Sequence, residues 1–406
     1  MRAAGALVGA LVAMATVTAT GLAPSAAAAD AQARQWYLGP MQAERMWKTG
    51  TGKGVKVAVI DSGVNADTPA LKGQVLIDEV PDAVRYRATD DYTGNGTTMA
   101  ELIAGTGAGG GLKGLAPGAR IVPYRIELDE LRAGDEERRK TPDLAEAITA
   151  AADTDAKIIN ISVSWEWFTG NDQAAIDYAA SKGKLLIASV GNGVREERAI
   201  AFPARNPYVL GVTSMDSSGT VSKNAADGDH VDLAAPGEKI PHWCDANFRS
   251  YCVGEPDTRP AAALVSAAAA LIWSVHPDWS VNQVTRSLID TASRSWPKDT
   301  PSRYAGYGLI RPRKVLADAD YDPGPADVDP LVKENGGNLL AESASTPSPT
   351  PADDAEQSSA EDSGTVSSAA PPRNHYHPLW LALSAAATVL GLALTGTALV
   401  RLRRAR

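Results

Sequence analysis

Cysteine is scarce in this chain of 406 residues, which contains only Cys244 and Cys252. Two cysteines exclude a disulfide-rich scaffold, and their spacing is not the Cys-x-x-Cys motif of redox enzymes. A metal site would need further ligands, for which His242 and Asp245 are the nearby candidates. We favour a disulfide between the two cysteines, because an even pair in an oxidising compartment most often forms one. The sequence predicts no metal and no cofactor.

Basic residues are outnumbered in this chain. The 39 lysines and arginines stand against 48 aspartates and glutamates, which gives a net charge of -9. No basic stripe offsets this balance, and binding to nucleic acid depends on clustered positive charge. The composition therefore argues against a nucleic-acid partner.

Histidine occurs five times, and none of the five precedes residue 230: they are His230, His242, His276, His375 and His377. Two earlier segments nevertheless resemble blocks of the subtilisin family of serine proteases. Residues 57–64, Val-Ala-Val-Ile-Asp-Ser-Gly-Val, resemble its aspartate block. Residues 94–105, Gly-Asn-Gly-Thr-Thr-Met-Ala-Glu-Leu-Ile-Ala-Gly, resemble its histidine block. The resemblance makes Asp61 the triad aspartate and places Asn95 where the family carries its catalytic histidine.

The asparagine removes the general base that the resemblance implies. A serine hydroxyl is a weak nucleophile until a neighbouring base accepts its proton. Imidazole accepts and returns a proton at physiological pH because its unperturbed pKa is about 6.5. The neutral amide of Asn95 does neither, so the usual route of catalysis is closed.

The nucleophile block is altered as well. Residues 265–272 resemble the alanine-rich helix that follows the Gly-Thr-Ser motif of the family. Counting back without gaps places Arg259 at the position of the nucleophilic serine. A second alignment, which needs an insertion, places Pro256 there, and we prefer the first. Neither alignment supplies a serine.

One further part of the machinery persists. Residues 187–193, Ile-Ala-Ser-Val-Gly-Asn-Gly, resemble the strand and turn that hold the oxyanion asparagine of the family, here Asn192. An oxyanion donor stabilises charge on a tetrahedral intermediate, so it contributes to rate only if a nucleophile generates that intermediate. We interpret Asp61 and Asn192 as hydrogen-bonding parts of the fold rather than as retained catalytic groups.

The altered triad also predicts a contact. A buried Asp61 without its histidine would be a costly carboxylate unless another group paired with it. We expect Arg259 to turn toward Asp61, directly or through Asn95 or a water. Asp257 is the rival partner for the guanidinium.

The peptide slot of the family is altered in this sequence. Residues 158–164, Ile-Ile-Asn-Ile-Ser-Val-Ser, resemble the strand along whose end a substrate backbone pairs. Here that strand, taken as an edge strand, runs into Trp165, Glu166, Trp167 and Phe168. The aromatic side chains either narrow a slot for an extended peptide or pack on a surface loop.

The pattern between the blocks supports the fold independently. Short apolar runs, typical of strands buried on both faces, alternate with helical stretches. The runs are 55–60, 121–126, 157–163, 185–190 and 209–213, and the helical stretches include 142–152 and 172–182. We predict a subtilisin-like three-layer α/β fold with a central, mostly parallel sheet. The likeness covers residues 35 to 317.

The two ends of the chain predict where the protein is located in the cell. Residues 1–29 have the composition of a signal peptide, and the uncharged stretch 378–400 is long enough, at about 20 residues, to cross a bilayer as a helix. The predicted domains are thus a signal peptide (1–29), a subtilisin-like domain (30–320), a disordered linker rich in Pro, Ser, Ala and acidic residues (321–377), a transmembrane helix (378–400) and a basic tail (401–406). Because positive residues favour the cytoplasmic side, we expect a single-pass protein of the cell membrane with an extracytoplasmic domain.

This layout resembles that of mycosins, the membrane-anchored subtilisin-like proteases associated with type VII secretion. The resemblance implies membrane components of that system, or an extended peptide, as partners. Two functions remain open. The favoured one is a pseudoprotease with a structural or peptide-binding role. The alternative is an active endopeptidase with an atypical site, built for instance from His230 or His242 and Ser250.

Overall fold

A six-stranded parallel sheet forms the centre of the protein. The computed structural model describes residues 31–165, 168–193 and 199–337. The strands are Lys56–Asp61 (β1), Arg120–Arg125 (β2), Ile158–Ile161 (β3), Leu185–Ser189 (β4), Val209–Met215 (β5) and Leu233–Pro236 (β6). They lie in the order β2-β1-β3-β4-β5-β6, and all pairs are parallel.

Helices cover both faces of the sheet. They are Ala43–Met46 (α1), Asn95–Ala104 (α2), Asp135–Lys140 (α3), Leu144–Ala152 (α4), Gly170–Ser181 (α5), Arg259–Val275 (α6), Val281–Thr291 (α7), Pro312–Leu316 (α8) and Val332–Asn335 (α9). Val57 and Val59 of β1 pack in the core that contains α2 and α6, whereas Ala58 and Ile60 pack with α4 and α5. Successive side chains of a strand point to opposite faces of the sheet, so β1 contributes residues to the cores on both faces. The predicted three-layer α/β fold is confirmed.

The predicted strands agree with the observed ones except at the end of the sheet. β6 was not among the predicted strands, and its sequence Leu-Ala-Ala-Pro has no β-branched residue that would favour one. It is the last of the six strands, and beyond β5 it forms only a single bridge, between Ala234 and Leu309, among the described residues. Proline is tolerated at such a position. β3 in contrast lies between β1 and β4, so its description as an edge strand was wrong.

A small antiparallel hairpin lies outside the main sheet. Its strands are Pro241–Trp243 (β7) and Tyr251–Val253 (β8), and the predicted disulfide between Cys244 and Cys252 joins them. The Trp243 and Tyr251 rings stack with centroids 3.9 Å apart. The Trp243 backbone N–H donates to the Thr98 hydroxyl at 3.0 Å, which holds the hairpin against α2.

The C-terminal boundary of the domain differs from the prediction. Residues 321–337 were assigned to a disordered linker, but they continue along the domain and include α9. Arg286 of α7 donates to the Pro323 carbonyl at 3.0 Å and to the Pro325 carbonyl at 2.8 Å. The linker prediction is therefore wrong for this segment, because Arg286 binds its backbone carbonyls and the buried Leu331 side chain packs in the core.

The membrane and export predictions concern other parts of the chain. Within residues 31–165, 168–193 and 199–337, no helix is long and apolar enough to span a bilayer. The predicted signal peptide at 1–29, the predicted helix at 378–400 and the basic tail at 401–406 lie outside the described residues. They stay predictions.

Candidate functional site

The predicted site residues meet in one cleft at the carboxyl ends of the strands, where open α/β sheets place ligands. Its larger part has a volume of about 310 Å³ and is lined by Asp61, Asn95, Asn192 and Arg259 together with further residues. We call it the acidic lobe because its lining carboxyl groups are Asp61, Asp129, Glu130 and Asp257.

A second part of the cleft, which we call the histidine lobe, has a volume of about 230 Å³ and contains His242. Asn95, Asn192, Asp257 and Arg259 line both lobes and so form the boundary between them. Asn95 and Arg259, at two of the three triad positions, therefore lie between the two halves of the cleft, whereas Asp61 lines the acidic lobe alone.

Asp61 ends β1 and is 1% exposed. Its Oδ1 accepts the Ser62 backbone N–H at 2.7 Å and the Ser62 hydroxyl at 3.0 Å. Its Oδ2 is buried and has no partner among the described residues. Burial, together with the nearby carboxylate of Asp91, raises the pKa of Asp61 to about 7, against the opposing effects of Ser62 and Arg259. The carboxyl group thus holds a proton up to near-neutral pH.

Arg259 is the first residue of α6, and it forms no direct ion pair with Asp61. The guanidinium instead binds Asp257 Oδ2, with Nη2 at 2.6 Å and Nε at 2.7 Å. The Arg259 backbone N–H also donates to Asp257 Oδ1 at 3.0 Å. Asp257 wins because one carboxylate satisfies both the helix start and the guanidinium, and anions are favoured at a helix N-terminus. Protonation, rather than an ion pair, lowers the cost of burying Asp61.

Asn95 is the first residue of α2. Its backbone N–H donates to the Thr93 hydroxyl at 3.0 Å, while its side-chain amide makes no hydrogen bond to any residue described in the structure. A Cβ on the adjacent Gly96 would lie 2.1 Å from the Gly63 carbonyl oxygen. The first turn of α2 thus packs directly against the residues that follow β1. This close packing requires glycine at position 96, whether or not the site is catalytic.

Asp91 also organises this helix start, and the sequence analysis missed it. Its carboxylate accepts the Gly94 N–H at 2.8 Å, the Thr97 N–H at 2.9 Å and the Ser62 hydroxyl at 2.7 Å. An acidic residue just before a predicted helix is a signal that would have found it. Asp91 orients α2 and places Ser62 between two carboxyl groups.

Asn192 contacts the turn that leads into α6. Its Nδ2 lies 3.4 Å from Asp257 Oδ1, and its Oδ1 accepts the Thr258 backbone N–H at 3.3 Å. Both contacts are long, and the residue is exposed. The asparagine at the oxyanion position thus supports the Asp257–Arg259 pair, in agreement with a hydrogen-bonding role in the fold.

The alternative catalytic pair is not assembled. The His242 Nδ1 lies 3.2 Å from the Ile240 carbonyl oxygen, and the Ser250 hydroxyl contacts the Cys244 sulfur at 3.3 Å. Neither Ser250 nor His230 lines either lobe. In the described part of the chain, no serine hydroxyl is hydrogen-bonded to a histidine.

Glu101 is a second residue that the sequence analysis missed, although the signal was present. It stands where the histidine block of the family has a glycine, and it is fully buried in α2. It accepts the Thr68 hydroxyl at 2.8 Å and the Tyr251 hydroxyl at 2.6 Å. Burial raises the pKa of Glu101 to about 7. This carboxyl group ties the disulfide hairpin to the helix that begins at Asn95.

The aromatic residues after β3 pack on a neighbouring loop. Trp165 exchanges two backbone hydrogen bonds of 3.0 Å with Phe202, and the Phe168 ring stacks on the Phe202 ring at 4.6 Å. Ser164 is exposed at the wall of the acidic lobe, and its backbone groups bond to no other described residue. The slot therefore keeps one free backbone position; Glu166 and Trp167 lie outside the described residues.

Comparisons with known proteins agree with this geometry. A model of the subtilase family (Peptidase_S8) matches residues 52–308. Mycosin-3 of Mycobacterium tuberculosis is 32% identical over 61% of this chain and 64% of its own length. Fervidolysin of Fervidobacterium pennivorans is 28% identical over 66% of this chain, which spans only 41% of that protein. Among solved structures, the MycP3 protease from the type VII (ESX-3) secretion system matches with a TM-score of 0.56 and 29% identity, over 69% of this chain and 87% of that one.

Proposed function

The chain belongs to the subtilase family, and from that premise we propose that it is a pseudoprotease, a member that keeps the cleft but does not cut peptide bonds. One observation carries this proposal. Asn95 and Arg259 line the same cleft as Asp61, at the positions where the family has its base and its nucleophile.

The chemistry of these side chains argues against cleavage. Acyl transfer needs a nucleophile whose proton is removed by a neighbouring base. The Asn95 amide accepts no proton at physiological pH, and the Arg259 guanidinium has no hydroxyl and is bound to Asp257. Asn192 contributes to rate only when a tetrahedral intermediate forms, so its presence does not restore activity.

A cleft without cleavage chemistry still suits peptide binding. The free backbone N–H and C=O of Ser164 at the wall of the acidic lobe offer an extended peptide the hydrogen bonds of strand addition. A peptide that is not cut stays bound for as long as its affinity allows. We therefore propose an extended peptide segment as the ligand.

The similarity to mycosin-3 and to the MycP3 protease supports a location for this peptide-binding role. We propose that the protein is anchored in the cell membrane by the sequence-predicted helix at 378–400, with its domain outside the cytoplasm. There it would act as a structural or peptide-binding component beside a type VII secretion system. The competing function is an active mycosin-like endopeptidase.

A serine-directed fluorophosphonate probe separates the two functions. We expect the purified full-length protein to remain unlabelled under conditions in which an active subtilisin is labelled completely. The variant Asn95→His should also stay unlabelled, because Arg259 supplies no hydroxyl. Stoichiometric labelling that disappears when one serine is mutated would instead establish an active endopeptidase.

A further inference from the structure

We propose that the acidic lobe selects a lysine or arginine side chain of the bound peptide. This inference rests on the proposed function, since it specifies the ligand of the same cleft. It follows from the charges of the lobe, from an unpartnered carboxyl oxygen within it and from the shape of its wall.

The charge of the lobe is strongly one-sided. Its only lining cation among the described residues is Arg259, and Asp257 already binds that guanidinium. Asp129 and Glu130 are exposed at the mouth of the lobe, and neither forms an ion pair with a described residue. Two exposed carboxylates without an ionic partner attract a cation and repel an acidic side chain.

The second observation is the buried oxygen of Asp61. This residue lines the lobe, is 1% exposed and leaves Oδ2 without a partner in the described structure. Buried polar atoms are almost always hydrogen-bonded, so an orphan next to a cavity points to a ligand. Oδ1 is already used by Ser62, so Oδ2 is the atom that faces a ligand. A cation bound beside it favours loss of the carboxyl proton, after which Oδ2 accepts an N–H donor from the cavity.

The wall of the lobe fits a long side chain with a charged tip. A peptide strand that pairs with Ser164 directs alternate side chains toward opposite faces, and one of these faces is the lobe. Leu128, Val163 and Trp165 line the same volume of about 310 Å³. Lysine and arginine place an apolar stem along such groups and carry the charge at the end. A short polar side chain would make neither the apolar contacts with the lining residues nor the ion pairs with the carboxyl groups.

The test measures binding of fluorescent extended peptides to the full-length protein in detergent micelles. The peptides form a matched series in which each position in turn carries Lys, Arg, Ala or Glu. We expect one position at which Lys or Arg binds about five- to tenfold more tightly than Ala, the size of effect that two rim charge pairs produce. Glu at that position should bind more weakly than Ala, and the preference should shrink at high salt.

Paired variants assign the preference to the lobe. The double variant Asp129→Asn/Glu130→Gln should reduce the ratio of Lys or Arg affinity to Ala affinity at that position to the part that Asp61 contributes. Glu127→Gln is the matched control, because Glu127 lies on the same segment but pairs with Arg138 and does not line the lobe. This variant should keep the preference.

The possible failures are distinguishable. Peptides that bind without any preference for Lys or Arg would overturn the charge selection and leave the proposed peptide-binding role in place. A preference that is undiminished in Asp129→Asn/Glu130→Gln would overturn the assignment to this lobe. If no peptide of the series binds, the peptide-binding role itself is wrong, and the inference falls with it.

Discussion

At the scale of single residues, Asp61 shows how a carboxyl group stays buried in a chain that lacks the histidine and serine of the triad. We expected an ion pair, and the structure instead shows a side chain whose pKa burial has raised to about 7. The error has a physical cause, because a carboxyl group can lower its burial cost by binding a proton as well as by binding a cation. The sequence placed Asp61, Asn95, Asn192 and Arg259 in one cleft, but it did not give their partners.

The raised pKa of Asp61 predicts a pH-dependent stability. The folded state releases this proton near pH 7, and the unfolded state releases it near the ordinary value of 3.8. Between these values the unfolded state binds fewer protons, so the stability contributed by the protonated carboxyl is complete below about pH 4 and is lost as the pH rises through 7. A pKa difference of one corresponds to about 1.4 kcal/mol.

We therefore expect the wild-type free energy of unfolding to fall, relative to that of Asp61→Asn, by about 2–4 kcal/mol between pH 4 and pH 8. Using the difference between the two proteins cancels the constant effect of the amide. The measurement is denaturant unfolding at a series of pH values, followed by tryptophan fluorescence. A difference that stays constant with pH would show that Asp61 does not carry a raised pKa.

At the scale of elements, apolar runs predicted the interior strands and failed at the edge. β1 and β3 consist mainly of apolar residues because both of their faces are buried; the polar Asn160 lies within β3. β6 is short and rich in alanine, so only its pairing with β5 identifies it as a strand. Long-range contacts of this kind, like the one between Glu101 and Tyr251, are not encoded in local periodicity.

The contact between α2 and β1 gives a prediction for an element. Gly96→Ala would place a methyl group 2.1 Å from the Gly63 carbonyl oxygen, and two backbones would have to move apart. We expect a loss of about 2–3 kcal/mol in the free energy of unfolding. Gly170→Ala is the control, because this residue also lies in the first turn of a helix but has open space around it.

The control variant should be neutral or more stable by up to about 1 kcal/mol, since alanine favours the helix. Chemical unfolding of both variants beside the wild type compares them directly. Equal effects at the two glycines would contradict close packing of α2 on the end of β1. The result also concerns the candidate site, because the packing of α2 on β1 determines the position of Asn95.

At the scale of the whole molecule, the segment 321–337 determines where the domain ends. Composition suggested a linker from residue 321, since few large apolar side chains follow. The fold instead holds the segment in three ways: Arg286 binds its backbone carbonyls, the Asn335 side chain accepts the Tyr208 backbone N–H at 2.8 Å, and Leu331 is buried in the core. Composition counts the few apolar residues of the segment, but it cannot show that one of them reaches the core or that a distant arginine binds the backbone.

This boundary sharpens the expected topology into a final prediction. If the domain lies outside the cytoplasm and the linker joins it to the membrane, protease added to intact spheroplasts should release a soluble fragment. If the linker after residue 337 is disordered, as its composition predicts, the cuts should fall there and leave 321–337 on the fragment. Mass spectrometry of the released fragment locates its C-terminus. In Arg286→Ala the segment loses its bonds to the Pro323 and Pro325 carbonyls, and additional cuts should appear within it. Cuts in this segment of the wild type would contradict its attachment, whereas release only after permeabilisation would place the domain inside the cell.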